Sequence, residues 1–357
     1  MSSVKNKRID GKLIFNVAVF GLSIFLITYF IFSENGLRDF LQAAKNISIL
    51  WLALAIFLQL FNVFIDILLI YIFVKERYKN FSFRQAVKVG LVGCFFNAVT
   101  PASTGGQPMQ IYLMSKMNID VGFLTSVFVQ KFFIFLSTSF VGSVIIILLK
   151  YKMFFSSVDS VVMWGFVAVG FISQLVVVFA VVIVTINESF TNRAILFIAK
   201  CLGKIRIVKN VDKKRDKIIA QLDCFHDANK ELYKKPKLLI FSYFIVVIQC
   251  IAIYSVVYCV YRSMGLTGAG LFDMISAQAI VNLISSMIPL PGASGAAELS
   301  FSMFFASFFT SETIKSAILL WRFITYYAMI IITAPFSFLT KGSVKNKNTD
   351  TEVTANE

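Results

Sequence analysis

The sequence has little charge, one histidine and no paired cysteine motif, and each shortage excludes a class of protein. Only 15% of the 357 residues are charged and 58% are hydrophobic, whereas soluble domains carry about 25% charged residues. The five cysteines form no CxxC pair, which favours free thiols in a reducing compartment. HExxH, GxSxG and Walker motifs are also missing, so the sequence predicts no metal, no cofactor and no catalytic residues.

Long apolar runs are what the sequence has in abundance. A membrane span needs about 20 apolar residues, and six runs of that size occur, at 12–32, 49–74, 121–149, 158–185, 237–261 and 315–339. The first resembles a signal peptide, but it is longer than a typical one and lacks an A-x-A-like end, so we predict a retained helix. The runs predict an all-α polytopic integral membrane protein with about six full spans.

Two further apolar regions, 85–117 and 271–309, are interrupted by TPASTGGQP and by IPLPGASGA. In hydrocarbon, a broken helix leaves backbone N–H and C=O groups without partners, at a cost of several kcal/mol each. Such a break survives only where protein or a wet cavity covers it. Each region is therefore predicted to be a re-entrant hairpin, two short helices that enter and leave the membrane on the same side.

The loop charges set the predicted orientation. With the tails 1–11 and 340–357 in the cytoplasm, the basic loop 187–236 is also cytoplasmic only if 85–117 returns to its own side, as the positive-inside bias requires. We therefore predict a multi-pass membrane protein with both termini cytoplasmic; full crossing by one or both hairpins is the alternative. This topology explains the net charge of +15, and no zinc-ligand or helix-turn-helix pattern supports nucleic-acid binding.

The loop 187–236 is too polar to span the membrane and is predicted to form one or two amphipathic helices. Its apolar side chains share one helix face: Ile218, Ile219, Leu222 and Phe225. The basic side either binds anionic headgroups or is a solvated surface, and the pattern leaves both interpretations open.

The two interruptions form an internal repeat. A shift of 190 residues aligns them, placing Pro101 on Pro291, Thr104 on Ser294 and Gly105 on Gly295. Lys131 likewise falls within one residue of Arg322. Each half, 12–149 and 158–339, has three full crossings, so the halves have opposite orientations. The pattern is typical of an inverted-repeat transporter whose site lies at the repeat interface.

The candidate binding residues are small, polar or cationic. They are Thr100, Pro101, Ser103, Thr104, Gly105, Gly106, Gln107, Gln110 and Lys131 in the first half, and Pro291, Gly292, Ser294, Gly295, Glu298 and Arg322 in the second. Glycines allow close backbone approach, and half-helices that begin after the breaks would aim free N–H groups at an anion. Together these groups suit a phosphate-bearing ligand with apolar chains. The alternative is that they only form the turns.

A charge at mid-membrane costs about 2.5–3.5 kcal/mol on insertion scales, so the two cations should face a cavity or a partner. For Lys131 the alternative to binding a ligand is an ion pair with Asp66. Gln59 and Asn62 complete a polar stripe with Asp66 at i, i+3 and i+7. In the second half, Glu298 lies where it could meet the cation, and Tyr326 is a further supporting polar residue.

The stretches TPASTGGQPMQ, IPLPGASGAAELSF and LLWRFITYY, in that order, resemble the lysylphosphatidylglycerol synthase transmembrane family. This family forms the membrane part of the bacterial multiple peptide resistance factor, and the likeness covers roughly 10–340. The resemblance implies a flippase for aminoacylated phosphatidylglycerol that alters cell-surface charge and resistance to cationic peptides. In the full-length factor, a separate cytoplasmic domain transfers lysine from lysyl-tRNA to the lipid.

Only a short polar tail follows residue 339, so we expect a stand-alone member without that synthase domain. The expected partners are anionic or aminoacylated membrane phospholipids, with a separate synthase protein and a second copy of the chain left open, and no nucleic acid. Phosphatidylglycerol lysyltransferase activity and transport of a small solute are the alternatives to lipid translocation.

Overall fold

The protein is described by a computed structural model. It describes residues 47–152, 154, 161–204, 211–286, 288, 290–311 and 313–339. The predicted first span, 12–32, and both predicted tails lie outside the described residues. Within those residues the chain is helical throughout and has no β-strand, which confirms the predicted all-α class.

The helices follow the apolar runs closely. They are α1 (Ile49–Arg77), α2 (Phe83–Val99), α3 (Gly106–Ser115), α4 (Val121–Leu149), α5 (Val161–Ile186), α6 (Glu188–Lys204), α7 (Val211–Tyr233), α8 (Pro236–Ser263), α9 (Leu271–Ser285), α10 (Ala296–Phe304), α11 (Thr313–Arg322) and α12 (Ala328–Leu339). A π-helical turn, Phe323–Tyr327, joins α11 to α12, and short 3-10 turns lie at Pro101–Ser103 and Pro291–Ala293.

Five segments in the described part are long and apolar enough to cross a membrane. They are α1, α4, residues 164–186 of α5, α8, and the continuous α11–α12 segment Thr313–Ser337. Each coincides with one of the six predicted spans, and the sixth lies outside the described residues. The chain is therefore a multi-pass membrane protein.

The two interrupted regions form helical hairpins, as predicted. Helix α2 packs against α3, and α9 packs against α10. With 10 residues in α3 and 9 in α10, these helices are about 15 Å and 14 Å long, whereas the hydrocarbon core is about 30 Å thick. Neither can cross alone, so each hairpin must turn back within the membrane.

Contacts between helix ends define one face of the molecule, which we call the first face. Three bonds gather these ends: Tyr78 Oη to Asp120 Oδ2 at 2.6 Å, the Gly122 N–H to Gln221 Oε1 at 2.6 Å, and Lys235 Nζ to Glu76 Oε2 at 2.9 Å. The hydrogen bond to Glu76 raises the pKa of the Lys235 ammonium. Because the α2–α3 hairpin is joined by short connections to α1 and α4, its open end also lies here.

The remaining ends meet at the second face. The Ser48 N–H donates to the Ser263 carbonyl at 2.8 Å, and Lys150 pairs with Asp273 at 2.6 Å. These contacts bring together the start of α1, the end of α4, the end of α8 and the open end of the α9–α10 hairpin. The two hairpins thus enter from opposite faces, which is the arrangement that the inverted repeat predicts.

The predicted amphipathic loop forms the two helices α6 and α7 at the first face. Helix α7 packs along α4 and buries Leu222, Phe225, Ala228 and Leu232. Ser126 on α4 donates to Asn229 Oδ1 at 2.7 Å. The second helix of the predicted loop is therefore folded against the first half, while α6 packs against α5 and α7.

Cysteine labelling tests which face is cytoplasmic. Cys201 on α6 is exposed, and α6 is tied to the first face by the 2.6 Å pair between Glu188 and Lys230. A variant that retains only this thiol should react with a membrane-impermeant maleimide only after cells are permeabilised. The matched probe is Thr267→Cys in a cysteine-free background, which lies between α8 and α9 at the second face and should react in intact cells. Labelling of Cys201 in intact cells would reverse the orientation.

Candidate functional site

The two proline turns begin with the same backbone path. The residue before each proline is extended, with φ −108° and ψ 149° at Thr100 and φ −106° and ψ 152° at Leu290. The residue after each proline is left-handed, with φ 51° at Ala102 and φ 60° at Gly292.

The two paths then diverge, with ψ −14° at Thr104 and 139° at Ser294, and φ −80° at Gly105 and 87° at Gly295. The repeat seen in the sequence is therefore a repeat of backbone conformation at the start of each turn and not at its exit.

Equivalent hydroxyls close both turns. Thr104 Oγ1 donates to the Pro101 carbonyl at 2.9 Å, and Ser294 Oγ donates to the Pro291 carbonyl at 2.8 Å. Each of these carbonyls also accepts the backbone N–H of the same residue, at 3.2 Å from Thr104 and 3.3 Å from Ser294. Two of the candidate binding hydroxyls thus have a structural role already.

The backbone N–H groups after the turns are also occupied. The Gly105 N–H donates to Thr100 Oγ1 at 2.8 Å, and the Gly106 N–H donates to Asn97 Oδ1 at 2.9 Å. In the second half, the Gly295 N–H donates to Glu298 Oε2 at 2.6 Å. We expected N–H groups free to hold an anion, and at these three glycines side chains of the protein hold them instead.

The two turns lie against each other at half the depth of the last span. Pro101–Ser103 contacts Pro291–Ala293, and Tyr326 Oη donates to the Ala98 carbonyl at 2.9 Å, just before the first turn. Tyr326 lies about 20 Å from the start and about 17 Å from the end of the span Thr313–Ser337, at 1.5 Å per residue. Both interruptions therefore meet where hydrocarbon would otherwise surround them.

Gly292 allows the second turn to approach this tyrosine. A Cβ at Gly292 would lie 2.6 Å from ring carbons of Tyr326, closer than two carbon atoms can approach. Its φ of +60° is also in the left-handed region that disfavours side chains. Tyr326 thus contacts Ala98, just before the first turn, and lies against Gly292 in the second.

Arg322 fixes the second turn to the last span. Its Nη1 donates to the Gly292 carbonyl at 2.8 Å, and its Nε lies 2.7 Å from Glu298 Oε1, which confirms the expected pairing. The guanidinium also stacks 4.9 Å from the Trp321 ring. Only 7% of Arg322 is exposed, and its buried Nη2 has no hydrogen-bond partner among the described residues. Because the guanidinium is permanently charged, its unpaired edge can bind an anion.

Lys131 on α4 pairs with Asp66 on α1. The Nζ–Oδ1 distance is 2.7 Å, so the ion pair considered as the alternative to ligand binding is confirmed. Lys131 is 8% exposed, whereas the Asp66 side chain is 33% exposed. The two buried cations thus have carboxylate partners in both halves.

The polar stripe on α1 faces the interior, where each member contacts a different span. Gln59 Nε2 approaches the Thr325 carbonyl at 3.5 Å. Gln249 Nε2 on α8 donates to Asn62 Oδ1 at 2.9 Å. With Asp66 bound to α4, the stripe joins α1 to three other spans, and it ends beside the π-helical turn that carries Tyr326.

The other candidates are divided between surface and interior. Pro101, Ser103 and Thr104 are exposed. Gln107 is half-buried, while Gln110 is 2% exposed inside the first hairpin, where its Nε2 lies 3.5 Å from the Val89 carbonyl. Gln110 therefore belongs to hairpin packing and is not brought to the turns.

Sequence reasoning missed Asn97. It lies in an apolar run three residues before Thr100, and its amide oxygen caps α3 across the break. A lone asparagine among apolar residues next to a break was the available signal, because a polar amide in hydrocarbon needs a partner.

Two comparisons relate the chain to known proteins. A family model described as the lysylphosphatidylglycerol synthase TM region matches residues 13–333. A UPF0104 membrane protein of Archaeoglobus fulgidus is 26% identical over 276 residues, which cover 75% of this chain and 80% of that protein. The family match includes both proline turns and both buried cations, and it confirms the resemblance carried by the three sequence stretches.

Replacing Gly292 tests the packing of the second turn. Gly292→Ala adds a Cβ against Tyr326 and a left-handed alanine, which costs about 1–2 kcal/mol before the steric clash is counted. We expect a clear loss of stability in denaturant unfolding of the detergent-solubilised protein. The control is Gly142→Ala on α4, where a Cβ meets nothing within 4 Å; it should be neutral or gain about 0.5–1 kcal/mol. Equal stability of the two variants would contradict the packing.

Removing Lys131 tests the buried pair. Lys131→Gln leaves Asp66 without its partner, and breaking a buried pair costs about 3–5 kcal/mol. Since a third of the Asp66 side chain is exposed, the loss should fall near the lower end of that range. Lys131→Gln combined with Asp66→Asn should recover most of the stability in the same assay, because no unpaired charge remains. A double variant no more stable than the single one would show that the pair is not coupled.

Proposed function

The chain belongs to the lysylphosphatidylglycerol synthase transmembrane-region family, and on that premise we propose that it translocates a phospholipid across a bacterial cell membrane. The headgroup binds where the two proline turns meet. The observation that carries the proposal is the meeting of two oppositely entering hairpins at half-span depth, beside a buried arginine with an unpaired edge. Substrate sites of inverted-repeat transporters lie at such midplane repeat interfaces.

A lipid phosphate matches the chemistry of the Arg322 edge. Guanidinium groups bind phosphate oxygens in a bidentate fashion, and Nη2 and Nε present two parallel N–H groups on one side. Nε is close to Glu298 but lacks a well-aligned hydrogen bond to it. In this proposal the phosphate displaces Glu298 from that edge, so the ion pair is exchanged and no buried cation is left without a counter-ion.

The displaced carboxylate favours an aminoacylated lipid. A headgroup that carries an amine beside its phosphate gives Glu298 a new cationic partner while Arg322 holds the phosphate. A plain anionic lipid satisfies only the arginine. The proposal therefore ranks aminoacyl-phosphatidylglycerol above phosphatidylglycerol, and delivery of that lipid to the outer leaflet would lower the attraction of the cell surface for cationic peptides.

The two faces of the molecule provide the route. Each hairpin opens to one face and ends at the shared turn region, so a headgroup reaches the same site from either side as the halves rearrange. The acyl chains stay in the bilayer against exposed apolar side chains of the spans, such as Phe166, Ile172 and Val176 on α5. The proposal includes cytoplasmic termini, with the first face in the cytoplasm.

Substitution of Arg322 tests the proposal. Purified protein is reconstituted in liposomes with fluorescent phosphatidylglycerol or its lysyl ester, and translocation is followed by chemical quenching of the outer leaflet. Arg322→Lys keeps the charge but loses the bidentate edge, so we expect at least about a tenfold slower rate, equivalent to about 1.4 kcal/mol. The control is Arg262→Lys, since Arg262 also stacks on a tryptophan, Trp51, at 5.1 Å but lies at the second face; it should retain the rate.

A folded Arg322→Ala variant with the normal rate would overturn the headgroup site. Two other outcomes would replace lipid translocation altogether. Formation of lysylphosphatidylglycerol from labelled lysyl-tRNA would identify a lysyltransferase, and uptake of soluble phosphate compounds without lipid movement would identify a solute transporter.

A further inference from the structure

Lys131 and Arg322, the two cations at equivalent positions of the repeat, have different partners. Arg322 is held by a carboxylate and by the Gly292 carbonyl, and its guanidinium does not lose its proton in proteins. Among the described residues, Lys131 donates a hydrogen bond to the Asp66 carboxylate at 2.7 Å. Of these two pairs, the one in the first half can separate without loss of a hydrogen bond to a turn, because Lys131 bonds to Asp66 whereas Arg322 also bonds to Gly292.

The pair is buried on one side and accessible on the other. Lys131 is 8% exposed, while a third of the Asp66 side chain is open. The Cys94 thiol on α2 interacts electrostatically with both charges, and the Phe128 ring lies 5.5 Å from Lys131 Nζ. On α8, Cys250 and Tyr254 belong to the apolar cluster that also contains Phe128. None of these groups carries a charge in its ordinary state, so none competes with the ion pair.

A polar path connects the pair to the turns. From Asp66 the α1 stripe runs through Asn62 to Gln59, about 10 Å along the helix, and Gln59 approaches the Thr325 carbonyl next to Tyr326. The Gln59 Oε1 atom is buried without a partner in the described part of the chain. An ammonium released from Asp66 would find this acceptor along the way to the turns.

We propose that Asp66 is a proton-binding site coupled to headgroup binding. A proton taken from water by the Asp66 carboxylate gives the neutral acid and releases the Lys131 ammonium, which then pairs with the anionic phosphate of the lipid. When the lipid leaves, Asp66 returns the proton to water and pairs with Lys131 again. With phosphatidylglycerol, whose headgroup carries one negative charge, the buried groups stay neutral in sum at each stage, so proton uptake and anion binding favour each other. The coupling therefore applies to the plain anionic lipid, which offers Glu298 no amine.

This inference rests on the proposed function and predicts proton-coupled translocation. In liposomes with fluorescent phosphatidylglycerol and a potassium–valinomycin clamp on the membrane potential, acidifying the side that supplies the lipid should speed translocation by up to about tenfold per pH unit. The ratio of rates with and without the gradient should fall to about one in Asp66→Asn, and also in Asp66→Asn with Lys131→Gln, which leaves no unpaired charge.

The matched control is the other lysine–aspartate pair of α4. Lys150 and Asp273 are 2.6 Å apart at the second face, with about equal exposure of 29% and 31%. Asp273→Asn removes the same chemistry from a surface position, so it should keep the response to the gradient. Translocation by the wild type at a rate indifferent to the gradient would overturn the coupling and leave the proposed function standing.

A second measurement does not depend on transport. Infrared difference spectra of the purified protein between neutral and acidic pH should contain a protonated carboxyl band that is lost in Asp66→Asn and kept in Asp273→Asn. Vesicles of phosphatidylglycerol should increase this band at fixed pH, because anion binding favours protonation. If no lipid moves in any liposome assay, the proposed function fails, but the infrared band still tests the proton site. A spectrum that is unchanged by Asp66→Asn, or unchanged by the vesicles, would overturn the proposal that Asp66 binds a proton coupled to the headgroup.

Discussion

The fold depends on hydrogen bonds that pair the backbone groups of two broken helices at half the depth of the last span. Each unpaired N–H or C=O there costs several kcal/mol, and water is not freely available. The Arg322 guanidinium meets part of this need by binding the Gly292 carbonyl at 2.8 Å, while Tyr326 binds the Ala98 carbonyl at 2.9 Å. Both side chains project from the last span at the π-helical turn, so one segment secures both hairpins.

Much of this arrangement could be predicted from the sequence, because it follows from the cost of placing unpaired backbone groups and charges in a membrane. Apolar runs of span length correctly predicted five spans in the described part, and the interrupted runs correctly predicted two hairpins. The cost of a buried charge predicted the pairs Lys131–Asp66 and Arg322–Glu298. What could not be predicted was which donor meets which acceptor. Asn97 caps α3, and Gln110 lies inside its hairpin, because those choices depend on how neighbouring helices pack.

The two halves of the inverted repeat begin their turns with similar backbone conformations, but their charged residues are placed differently. Both turns share the dihedral angles of their first residues and their closing hydroxyl bonds, although the backbone leaves the two turns differently. The carboxylates are placed differently: Glu298 is on the half-helix itself, whereas Asp66 is on a full span. One cation is consequently fixed to a turn and the other to a neighbouring span, which gives the two halves different freedom to move.

The turns themselves are held in a conformation that their residues disfavour. Ala102, Ser103 and Ala293 all have left-handed φ angles of 51° to 52°, at a cost of order 1–2 kcal/mol for each. Such a conformation persists only where surrounding contacts determine it, and here the opposing turn and the last span supply them. Movement within a turn would lose those contacts, so under the proposed function a rearrangement that carries a headgroup between the faces would shift whole hairpins against the spans. The exchangeable contacts are then the side-chain ion pairs, while the sealed backbone of each turn stays unchanged.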